Sequence, residues 1–456
     1  MFDIVIVGGG PGGYAAALYA HNFGLSVALV SDERPGGTCL HRGCIPAKQW
    51  LHIAEVYATV SHAAEFGVVT TQPSIDWEAA LARKNQTVEG LVRGLGGLLK
   101  QRGAEVVEGY GKLAGPGRVE VTTSEGTQSL EARATILATG SHASTIPGYE
   151  IDGTRIVTSD HALDWPERPE RVGIIGGGVI GCEFASLLID LGSQVHVFEM
   201  MDQIIPGSDP DTAKALQRQL QRRGVKFHVG VKVEPAEVGE SGVTIPFGDE
   251  KAEVDVVLVA VGRAPNTEGV GLETTAARVD RGFVEVDPET MQTAQPLLYA
   301  VGDIVAGTPQ LAHVGFAEAI AAVTHIATGE TQPVNYDAIP RVTYTQPEVA
   351  EVGITETQAT ERGLAVVTTK HAFNGVGRAI IQGHNQGHVK LIAVEDGPIV
   401  GASVVGPQAG ELIHELMYSV GWEALPSEAA TFIHAHPTLS EAIGETLMSA
   451  AGTSLH

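Results

Sequence analysis

The amino-acid sequence predicts an α/β protein in which two copies of one strand–turn–helix–strand pattern precede an α+β segment. A glycine-rich stretch at residues 8–13 follows a short apolar run, and the same pattern returns at residues 176–181. Beyond Gly329, apolar and polar residues alternate, which is typical of antiparallel strands. These observations predict two similar units built on parallel sheets and a third part of different architecture.

Both copies have the residue order of a βαβ unit. In the first, a strand at 3–7 and the glycine turn precede a helix predicted at 14–23 and a strand at 27–31. In the second, a strand at 171–175 leads to a helix predicted at 182–191 and a strand at 195–199. One GxGxxG turn is weak evidence, because glycine turns without a ligand are common. Two copies in this context favour two Rossmann-like dinucleotide-binding domains.

Further strands and turns divide the chain. Apolar strands are predicted at residues 135–137 and 255–261, and each ends in a glycine-containing turn. In the last part, strands are predicted at 341–344, 388–394 and 399–405. The predicted division is a first domain at 1–148, a second at 149–266, a continuation of the first at 267–332 and an α+β domain at 333–456.

Composition excludes several classes of protein. The 456 residues include 54 acidic and 29 basic side chains, which gives a net charge of −25. A field of this sign repels nucleic acid and anionic membranes, so neither is expected as a partner. No apolar run has the length of a membrane span, and the chain enters a strand at once. We therefore expect a cytoplasmic protein.

Acidic residues at the strand ends indicate which nucleotide each unit binds. An acidic residue about 20 positions beyond the fingerprint usually accepts hydrogen bonds from a ribose. Glu199 has this offset in the second unit, and no basic residue follows it to hold a 2′-phosphate. NAD is therefore favoured over NADP. In the first unit the same offset falls on Ser31, followed by Asp32 and Glu33, and the choice among the three stays open.

Two of the three cysteines lie close together, at Cys39 and Cys44. Residues five apart on a straight helix are separated by about 7.5 Å along its axis. A disulfide tolerates a Cα separation of only about 4.4–6.8 Å. If the two cysteines bridge, the helix must be distorted, and Gly43 and Pro46 are the residues expected to distort it. A metal site is disfavoured because there is no CxxC, whereas two ordinary buried thiols remain an alternative.

The segment GGTCLHRGCIPAK at residues 36–48 resembles the redox-active site of the pyridine nucleotide–disulfide oxidoreductases. The resemblance extends over nearly the full length of the chain. Its further motifs are ATGS at 138–141, GGGVIGCE at 176–183, AVGRAPNT at 260–267, YAVGD at 299–303, QLAH at 310–313, YTQPEVA at 344–350 and HAHPTLSEA at 434–442. The chain departs from the family at His41-Arg42, where Asn-Val is more usual, at Ala47 in place of Ser and at Ser31 in place of Glu.

The resemblance implies roles for individual residues. Cys39 would be the interchange thiol that meets the substrate, and Cys44 the charge-transfer thiolate against a flavin. Lys48 would lie near the flavin ring, paired with Glu183, and Asp303 would hold the ribityl chain of FAD. The residues expected to bind FAD and NAD are Gly8, Gly10, Gly13, Asp32, Gly37, Thr38, Lys48, Gly111, Thr139, Gly140, Ser141, Gly176, Gly178, Gly181, Glu199, Gly262, Asp303, Gln310, Leu311, Ala312 and His313.

Thiol–disulfide exchange needs a base, because the thiolate is the nucleophile. By resemblance, His436 is this base and Glu441 orients it. His434 is a rival that spacing alone does not separate from His436. Thr438 and Glu441 also fit a T-x-x-E capping box, which would be a purely structural reason for Glu441.

The resemblance also implies an activity and partners. Protein-bound dihydrolipoamide would be oxidised to lipoamide through the cysteine pair and FAD, and NAD⁺ would be reduced to NADH. The expected partners are a second copy of the chain, since the base acts on the dithiol of the partner subunit, and a lipoyl-bearing carrier. That carrier would belong to a 2-oxoacid dehydrogenase or glycine cleavage type of complex. The C-terminal domain would then be the dimerisation domain, and no metal is expected.

Three other activities are weighed against this one. A flavin reductase of the glutathione reductase type is disfavoured by Glu199, since such enzymes prefer NADPH. A mercuric reductase is disfavoured because residues 450–456 hold no cysteine pair. A non-catalytic redox sensor that binds FAD and NAD would not require Cys39, Cys44, Lys48, Glu183 and His436 together.

Overall fold

A computed structural model of the chain describes residues 1–455 and forms two compact units. Unit 1 consists of Met1–Trp50, Asp76–Ser144 and Gly262–Val334, and unit 2 of Leu51–Ile75, Thr145–Val261 and the described residues from Asn335 onward. The sequence-based division into 1–148, 149–266, 267–332 and 333–456 stays a prediction. No helix among the described residues is long and apolar enough to cross a membrane.

The helices are distributed along the whole chain. In chain order they are α1 Pro11–Ala20, α2 Gly37–Arg42, α3 Cys44–Ser61, α4 Trp77–Gln101, α5 Ser159–Ala162, α6 Val179–Asp190, α7 Pro210–Arg222, α8 Ala312–Thr328, α9 Glu356–Glu361, α10 Gly377–Gln382, α11 Ala409–Gly421, α12 Pro426–Ala429 and α13 Glu441–Ala450.

The strands form parallel and antiparallel sheets. In chain order they are β1 Phe2–Val7, β2 Val27–Ser31, β3 Glu105–Glu108, β4 Tyr110–Leu113, β5 Arg118–Thr123, β6 Gly126–Leu137, β7 Ser141–Ala143, β8 Ile156–Val157, β9 Arg171–Ile175, β10 Gln194–Glu199, β11 Lys226–Val229, β12 Glu237–Val238, β13 Val243–Phe247, β14 Glu250–Val254, β15 Val256–Val259, β16 Arg263–Pro265, β17 Val279–Asp280, β18 Phe283–Val284, β19 Leu298–Ala300, β20 Arg341–Thr343, β21 Glu348–Gly353, β22 Val366–Ala372, β23 His388–Val394 and β24 Ile399–Gly406.

Unit 1 is built on one sheet with the strand order β3-β2-β1-β6-β5-β4, with β19 also paired to β6. Strands β1, β2, β3 and β19 run parallel to their neighbours, β6 among them, whereas β5 is antiparallel to both β4 and β6. The apolar residues of β1 alternate between two cores: Ile4 and Ile6 pack toward α1 and α8, and Val5 and Val7 toward β4 and β5. Burial on both faces explains the continuous apolar run of β1.

Unit 2 contains a parallel sheet in the order β11-β10-β9-β15-β8 and a small antiparallel sheet, β12-β13-β14. Its last part forms an antiparallel sheet in the order β20-β21-β24-β23-β22. Residues of α11 and α13 share one core with this sheet, which includes Val404, Ile413 and Ile443. The α+β architecture predicted for the C-terminal segment is confirmed.

Most predicted elements are found, with shifted ends. Strands β2, β9 and β23 have the predicted bounds. The first helix begins at Pro11 rather than at residue 14, because proline fits the first turn of a helix, and it continues as a single 3-10 turn at His21–Phe23. The strand predicted at 255–261 is wrong at both ends, since β15 covers only Val256–Val259.

Candidate active site

The outer glycines of the two fingerprints are required by the backbone. Gly8 and Gly176 have φ angles of +111° and +106°, and a Cβ there would lie 2.1 Å from the carbonyl oxygen of Ala138 and 2.3 Å from that of Ala260, respectively. At Gly13 a Cβ would lie 1.8 Å from the carbonyl oxygen of Gly8, and the contact of Gly181 with Gly176 is equivalent. These four glycines form the tight turns and the close packing of helix on strand.

At the middle positions of the fingerprints, Gly10 and Gly178, glycine is needed for another reason. Their φ angles are −73° and −71°, which any residue can adopt. A Cβ on Gly10 would meet nothing closer than 3.9 Å, and a Cβ on Gly178 nothing within 4 Å. The missing side chains therefore leave open space at the N-termini of α1 and α6, where no side chain caps the helix. Both turns fit a pyrophosphate held by backbone N–H groups.

Glu199 is the last residue of β10 and lies against the second fingerprint. Its carboxylate accepts hydrogen bonds from the N–H groups of Gly177 (2.7 Å) and Met201 (2.8 Å). The side chain is buried at the loop that would hold the pyrophosphate. This places an acceptor where the ribose of a dinucleotide is expected.

Ser31 occupies the corresponding place in unit 1, as the last residue of β2. Its Oγ lies 2.5 Å from where a Cβ on Gly9 would be. Glu33 is held by Arg42 through a bidentate ion pair at 2.6 and 3.0 Å, and Asp32 is exposed beside it. Of the three residues left open by the sequence, Ser31 therefore has the position that Glu199 has in unit 2.

The two cysteines lie on separate helices. Cys39 belongs to α2, Cys44 begins α3, and Gly43 between them has φ −140° and ψ −112°. The predicted helix distortion is confirmed at Gly43. Pro46 lies buried in the first turn of α3, and in one continuous helix its ring would clash with the carbonyl of Arg42, so it also favours the break at Gly43.

The structure shows both cysteines as thiols. A hydrogen bond with Cys44 and then burial raise the pKa of the Cys39 thiol, and the positive charge of Lys48 acts in the opposite direction. Cys39 therefore holds its proton firmly in the dithiol form. A separate base is needed wherever thiolates must form.

Lys48 and Glu183 lie in different units. Lys48 is one helical turn beyond Cys44 on α3, close enough for its charge to act on Cys39. Glu183 is buried on α6 and accepts a hydrogen bond of 2.9 Å from the N–H of Tyr344. Their predicted pairing stays a prediction.

Asp303 follows β19 in a 3-10 turn, Gly302–Ile304, at the carboxyl end of the sheet of unit 1. Its Oδ2 accepts a hydrogen bond from the hydroxyl of Ser141, and its carbonyl accepts one of 3.2 Å from the amide of Gln310. Leu311, Ala312 and His313 follow at the start of α8. Parallel strands bring these side chains to the edge where α/β sheets bind ligands.

The other predicted FAD residues lie at the same edge or close to it. A Cβ on Gly37 would be 2.5 Å from the Cα of Gly10, so the turn before Thr38 packs on the fingerprint. Thr139, which precedes Gly140, donates a hydrogen bond of 2.6 Å to the carbonyl of Asn266, four residues after Gly262. Gly111 on β4 has a packing reason, since a Cβ there would lie 3.0 Å from a methyl group of Val7 and from one of Val30.

The candidate base is bound to its carboxylate. Nδ1 of His436 lies 2.8 Å from Oε1 of Glu441, and the histidine side chain is 80% exposed. Burial opposes ionisation of Glu441, but hydrogen bonds from the N–H of Thr438 and from His436 outweigh it and lower the pKa of Glu441. The second ring nitrogen of His436 remains for proton exchange.

His434 differs from His436 in its surroundings. Its Nε2 lies 2.6 Å from Oε1 of Glu415, this hydrogen bond raises the pKa of His434, and only 14% of the side chain is exposed. A Cβ on Gly444 would lie 2.5 Å from its Nδ1, so α13 packs closely on the ring. The geometry favours His436 as the residue that meets a substrate.

The capping box considered for Thr438 and Glu441 is only half present. Glu441 accepts a hydrogen bond of 2.8 Å from the N–H of Thr438, as in a capping box. The hydroxyl of Thr438 donates instead to the carbonyl of Ala435, and α13 begins at Glu441 after Ser440. The box is therefore wrong as a full account of Glu441, whose other oxygen holds His436.

Sequence reasoning missed two side chains near the site. Burial, followed by the nearby Cys39 and Cys44, raises the pKa of Tyr14 on α1 to about 12. Arg263 on β16 donates two hydrogen bonds to Ser141. Only their place inside a motif could have indicated them. Among residues 1–455, no group of three or more His, Cys, Asp or Glu is arranged to hold a metal ion.

Known proteins resemble this chain over its full length. It is 39% identical to dihydrolipoyl dehydrogenase of Bacillus subtilis, covering 100% of this chain and 99% of the relative. It is 40% identical to dihydrolipoyl dehydrogenase of Chlamydia muridarum, over 100% of this chain and 98% of the relative. The solved structure of LpdA from Mycobacterium tuberculosis matches with a TM-score of 0.91 at 28% identity, over 98% of this chain and 99% of that one.

Family models match the two main parts of the chain. Residues 2–319 match the model "pyridine nucleotide-disulphide oxidoreductase", and residues 339–447 match the dimerisation domain of the same name. The predicted fold class and the predicted cofactors, FAD and NAD, are confirmed by these relationships. The chain belongs to the pyridine nucleotide-disulphide oxidoreductase family.

Proposed function

We propose that the chain is an NAD-dependent dihydrolipoyl dehydrogenase, which oxidises protein-bound dihydrolipoamide to lipoamide and reduces NAD⁺ to NADH. The observation that carries the proposal is the exposed pair of His436 and Glu441, because a dithiol substrate must lose protons before it can react. Relatives that carry the name dihydrolipoyl dehydrogenase are 37–40% identical over the full chain, which favours the same substrate.

The cysteine pair would exchange electrons with the substrate in two steps. A thiolate of the dihydrolipoyl group attacks Cys39 of the oxidised pair, forms a mixed disulfide and releases Cys44 as a thiolate. The second substrate thiolate then attacks the substrate sulfur of that mixed disulfide, which closes the lipoyl disulfide and releases Cys39. The substrate loses two electrons, and the protein disulfide becomes a dithiol.

His436 would accept the protons that the substrate thiols lose. Histidine is the side chain most often used as a general base, and a bound carboxylate fixes the orientation of its ring. Glu441 is suited to this role because the N–H of Thr438 and His436 together keep it ionised. His434 already shares its Nε2 with Glu415 and is mostly enclosed.

FAD, when bound in unit 1, supplies the two-electron chemistry that links the cysteine pair to NAD⁺. The fingerprint glycines, Ser141 and Asp303 would hold it, and Glu199 would hold the ribose of NAD⁺ in unit 2. Lys48 would hold a positive charge beside the pair, which favours a thiolate over a thiol.

The chain would act as a homodimer. Residues 339–447 match a dimerisation domain, and this part of unit 2 exposes large apolar side chains, among them Trp422, Phe432 and Ile433. A monomer rarely leaves such groups in contact with water. A lipoyl-bearing carrier of a 2-oxoacid dehydrogenase or glycine cleavage type of complex would supply the substrate. The cytoplasmic location expected from composition stays a prediction.

The purified protein tests the proposal. It should be yellow, and dihydrolipoamide should reduce its flavin and then NAD⁺, with NADP⁺ a much poorer acceptor. Cys39→Ser and Cys44→Ser should each abolish turnover, while Cys182→Ser, which changes a buried thiol of the second fingerprint, should keep most of it. Turnover with NADPH and glutathione disulfide, but none with dihydrolipoamide, would exclude the proposed substrate.

A further inference from the structure

Arg263 and Ser141 lie on two strands of unit 1 that pair with each other. Ser141 begins β7, Arg263 begins β16, and the two strands form an antiparallel ribbon. Nε of Arg263 lies 2.7 Å from the hydroxyl oxygen of Ser141, and Nη2 lies 2.7 Å from its carbonyl oxygen. One guanidinium therefore holds both the side chain and the backbone of Ser141, which is buried.

The direction of the hydrogen bonds in this cluster is fixed by chemistry. A guanidinium can only donate, so the hydroxyl oxygen of Ser141 accepts from Arg263. The hydroxyl hydrogen then points the other way, toward Oδ2 of Asp303, which accepts it. The result is a chain from cation through hydroxyl to carboxylate, and both of its bonds involve a charged group. Chains of this kind polarise their members in one direction.

The backbone of Asp303 is held as well. The N–H of Gly302 donates a hydrogen bond of 2.6 Å to the fully buried Glu318, and Gln310 donates to the carbonyl of Asp303. Among residues 1–455, Oδ1 of Asp303 receives no hydrogen bond from the protein. One carboxylate oxygen is therefore fixed, and the other is left for the hydroxyl groups of a ligand.

We propose that Arg263 is a positioning residue for FAD: acting through Ser141, it fixes the carboxylate of Asp303 in the orientation that binds the ribityl hydroxyl groups. The inference rests on the proposed role of Asp303 as a ligand of FAD. Arg263 itself touches Ser141 and acts on the cofactor only through it.

The equilibrium dissociation constant of FAD, measured by diluting the holoenzyme and following the rise in flavin fluorescence to equilibrium, tests the proposal. Arg263→Met and Ser141→Ala should each raise the equilibrium dissociation constant of FAD roughly tenfold, the size expected when a hydrogen bond to a charged group is lost. Arg263→Lys keeps the charge without the planar fork, so it should restore only part of the affinity. Arg118→Met is the matched control, since Arg118 of the same unit donates to the carbonyl of Ala114.

A double-mutant cycle separates positioning from general damage to the fold. If Arg263 acts through Asp303, Arg263→Met in the Asp303→Ala background should change FAD affinity less than twofold. The inference would be overturned if Arg263→Met lowered FAD affinity equally in the wild-type and Asp303→Ala backgrounds, or if Arg263→Met alone left the affinity unchanged. Unchanged affinity in Asp303→Ala alone would overturn the role of Asp303 and the inference with it. The readout is cofactor binding, so it does not depend on whether dihydrolipoamide is the substrate.

Discussion

Gly43 separates the helix that carries Cys39 from the helix that begins at Cys44. A Cβ at this position would lie 2.9 Å from the carbonyl oxygen of Thr38 and 3.3 Å from the Cα of Cys39. Gly43→Ala should therefore move α2 against α3 and destabilise the protein by about 1–3 kcal/mol. Turnover should fall further than stability does, because the exchange reaction depends on the distance between the two sulfurs.

Gly94 on α4 provides a matched control for Gly43, since nothing lies within 4 Å of a Cβ placed there. Gly94→Ala should be neutral or stabilise the helix by about 0.5–1 kcal/mol. Chemical denaturation and steady-state turnover of both variants make the comparison. A Gly43→Ala variant with wild-type turnover would show that the gap between the helices does not set the reactivity of the pair.

His436 is expected to matter far more to catalysis than its neighbour His434. His436→Gln should lower kcat with dihydrolipoamide by about 10²–10⁴-fold, the usual contribution of a general base. Glu441→Gln should lower kcat by a smaller factor, because His436 is still present to accept the proton. His434→Gln removes a hydrogen bond to Glu415 and should mainly lower stability. Stopped-flow reduction of the flavin by dihydrolipoamide measures the step directly, and equal losses at His434 and His436 would contradict the assignment.

Strands β10 and β11 bring His196 and His228 side by side. Nδ1 of His196 lies 3.2 Å from Nε2 of His228, and the planes of the two rings differ by only 13°. Burial, with Lys226 and His228 nearby, lowers the pKa of His196 from 6.5 to about 4. Burial also lowers the pKa of His228, although Glu250 opposes this. The pair stays neutral in the folded protein under conditions where a free imidazole would be charged.

The pair should make stability depend on pH. Between about pH 6.5 and pH 4 the unfolded chain binds more protons than the folded one, so the free energy of unfolding falls as the pH falls. The full shift of His196 corresponds to about 3 kcal/mol, and screening by solvent reduces this to about 1–2 kcal/mol. In His196→Gln the midpoint of urea denaturation should therefore change less with pH across this range than it does in the wild type. His52→Gln, which replaces an exposed histidine, is the control, and equal flattening in both variants would exclude the pair as the cause.

A buried lysine joins helix α7 to strand β23 within unit 2. Nζ of Lys390, only 1% exposed, lies 2.7 Å from Asp209, 3.1 Å from Asp211 and 3.0 Å from Glu356. Lys390→Met would leave Asp209 buried without a cation, which should destabilise the protein by about 3–5 kcal/mol. The exposed Lys370, paired with Asp211, is the control, and its loss should cost about 0–1 kcal/mol. Similar thermal shifts in both variants would contradict this account.

The sequence predicted the elements better than the contacts between them. Strands β2 and β23 follow from local apolar patterns, and Gly43 from the limits of disulfide geometry. The chain of Arg263, Ser141 and Asp303 joins positions far apart in the sequence, so no local pattern indicates it. The choice between His434 and His436 likewise needed their exposure, and it needed Glu415, the partner of His434, which lies 19 residues away in the sequence.

The charge of the whole chain bears on how two copies associate. Each copy carries a net charge of −25, so two copies repel each other over distances of about a Debye length. Association must then depend on apolar contact. Trp422, Phe432 and Ile433 of unit 2 are 77%, 75% and 98% exposed, and they precede His436 closely along the chain. Burying this surface against a second copy would bring His436, the proposed base, near the interface.

Ile433→Asp should therefore dissociate the proposed dimer, since it places another negative charge in an apolar contact between two acidic chains. Analytical ultracentrifugation of the holoenzyme should give a dimer for the wild type and a monomer for the variant, with activity lost in proportion. Val106→Asp on β3, a less exposed site of unit 1, is the control and should remain dimeric. Raising the salt concentration should tighten the wild-type dimer, because salt screens repulsion and leaves apolar contact in place. A dimer that salt weakens would show that ion pairs hold the two copies together, and an Ile433→Asp variant that stays dimeric would place the interface elsewhere.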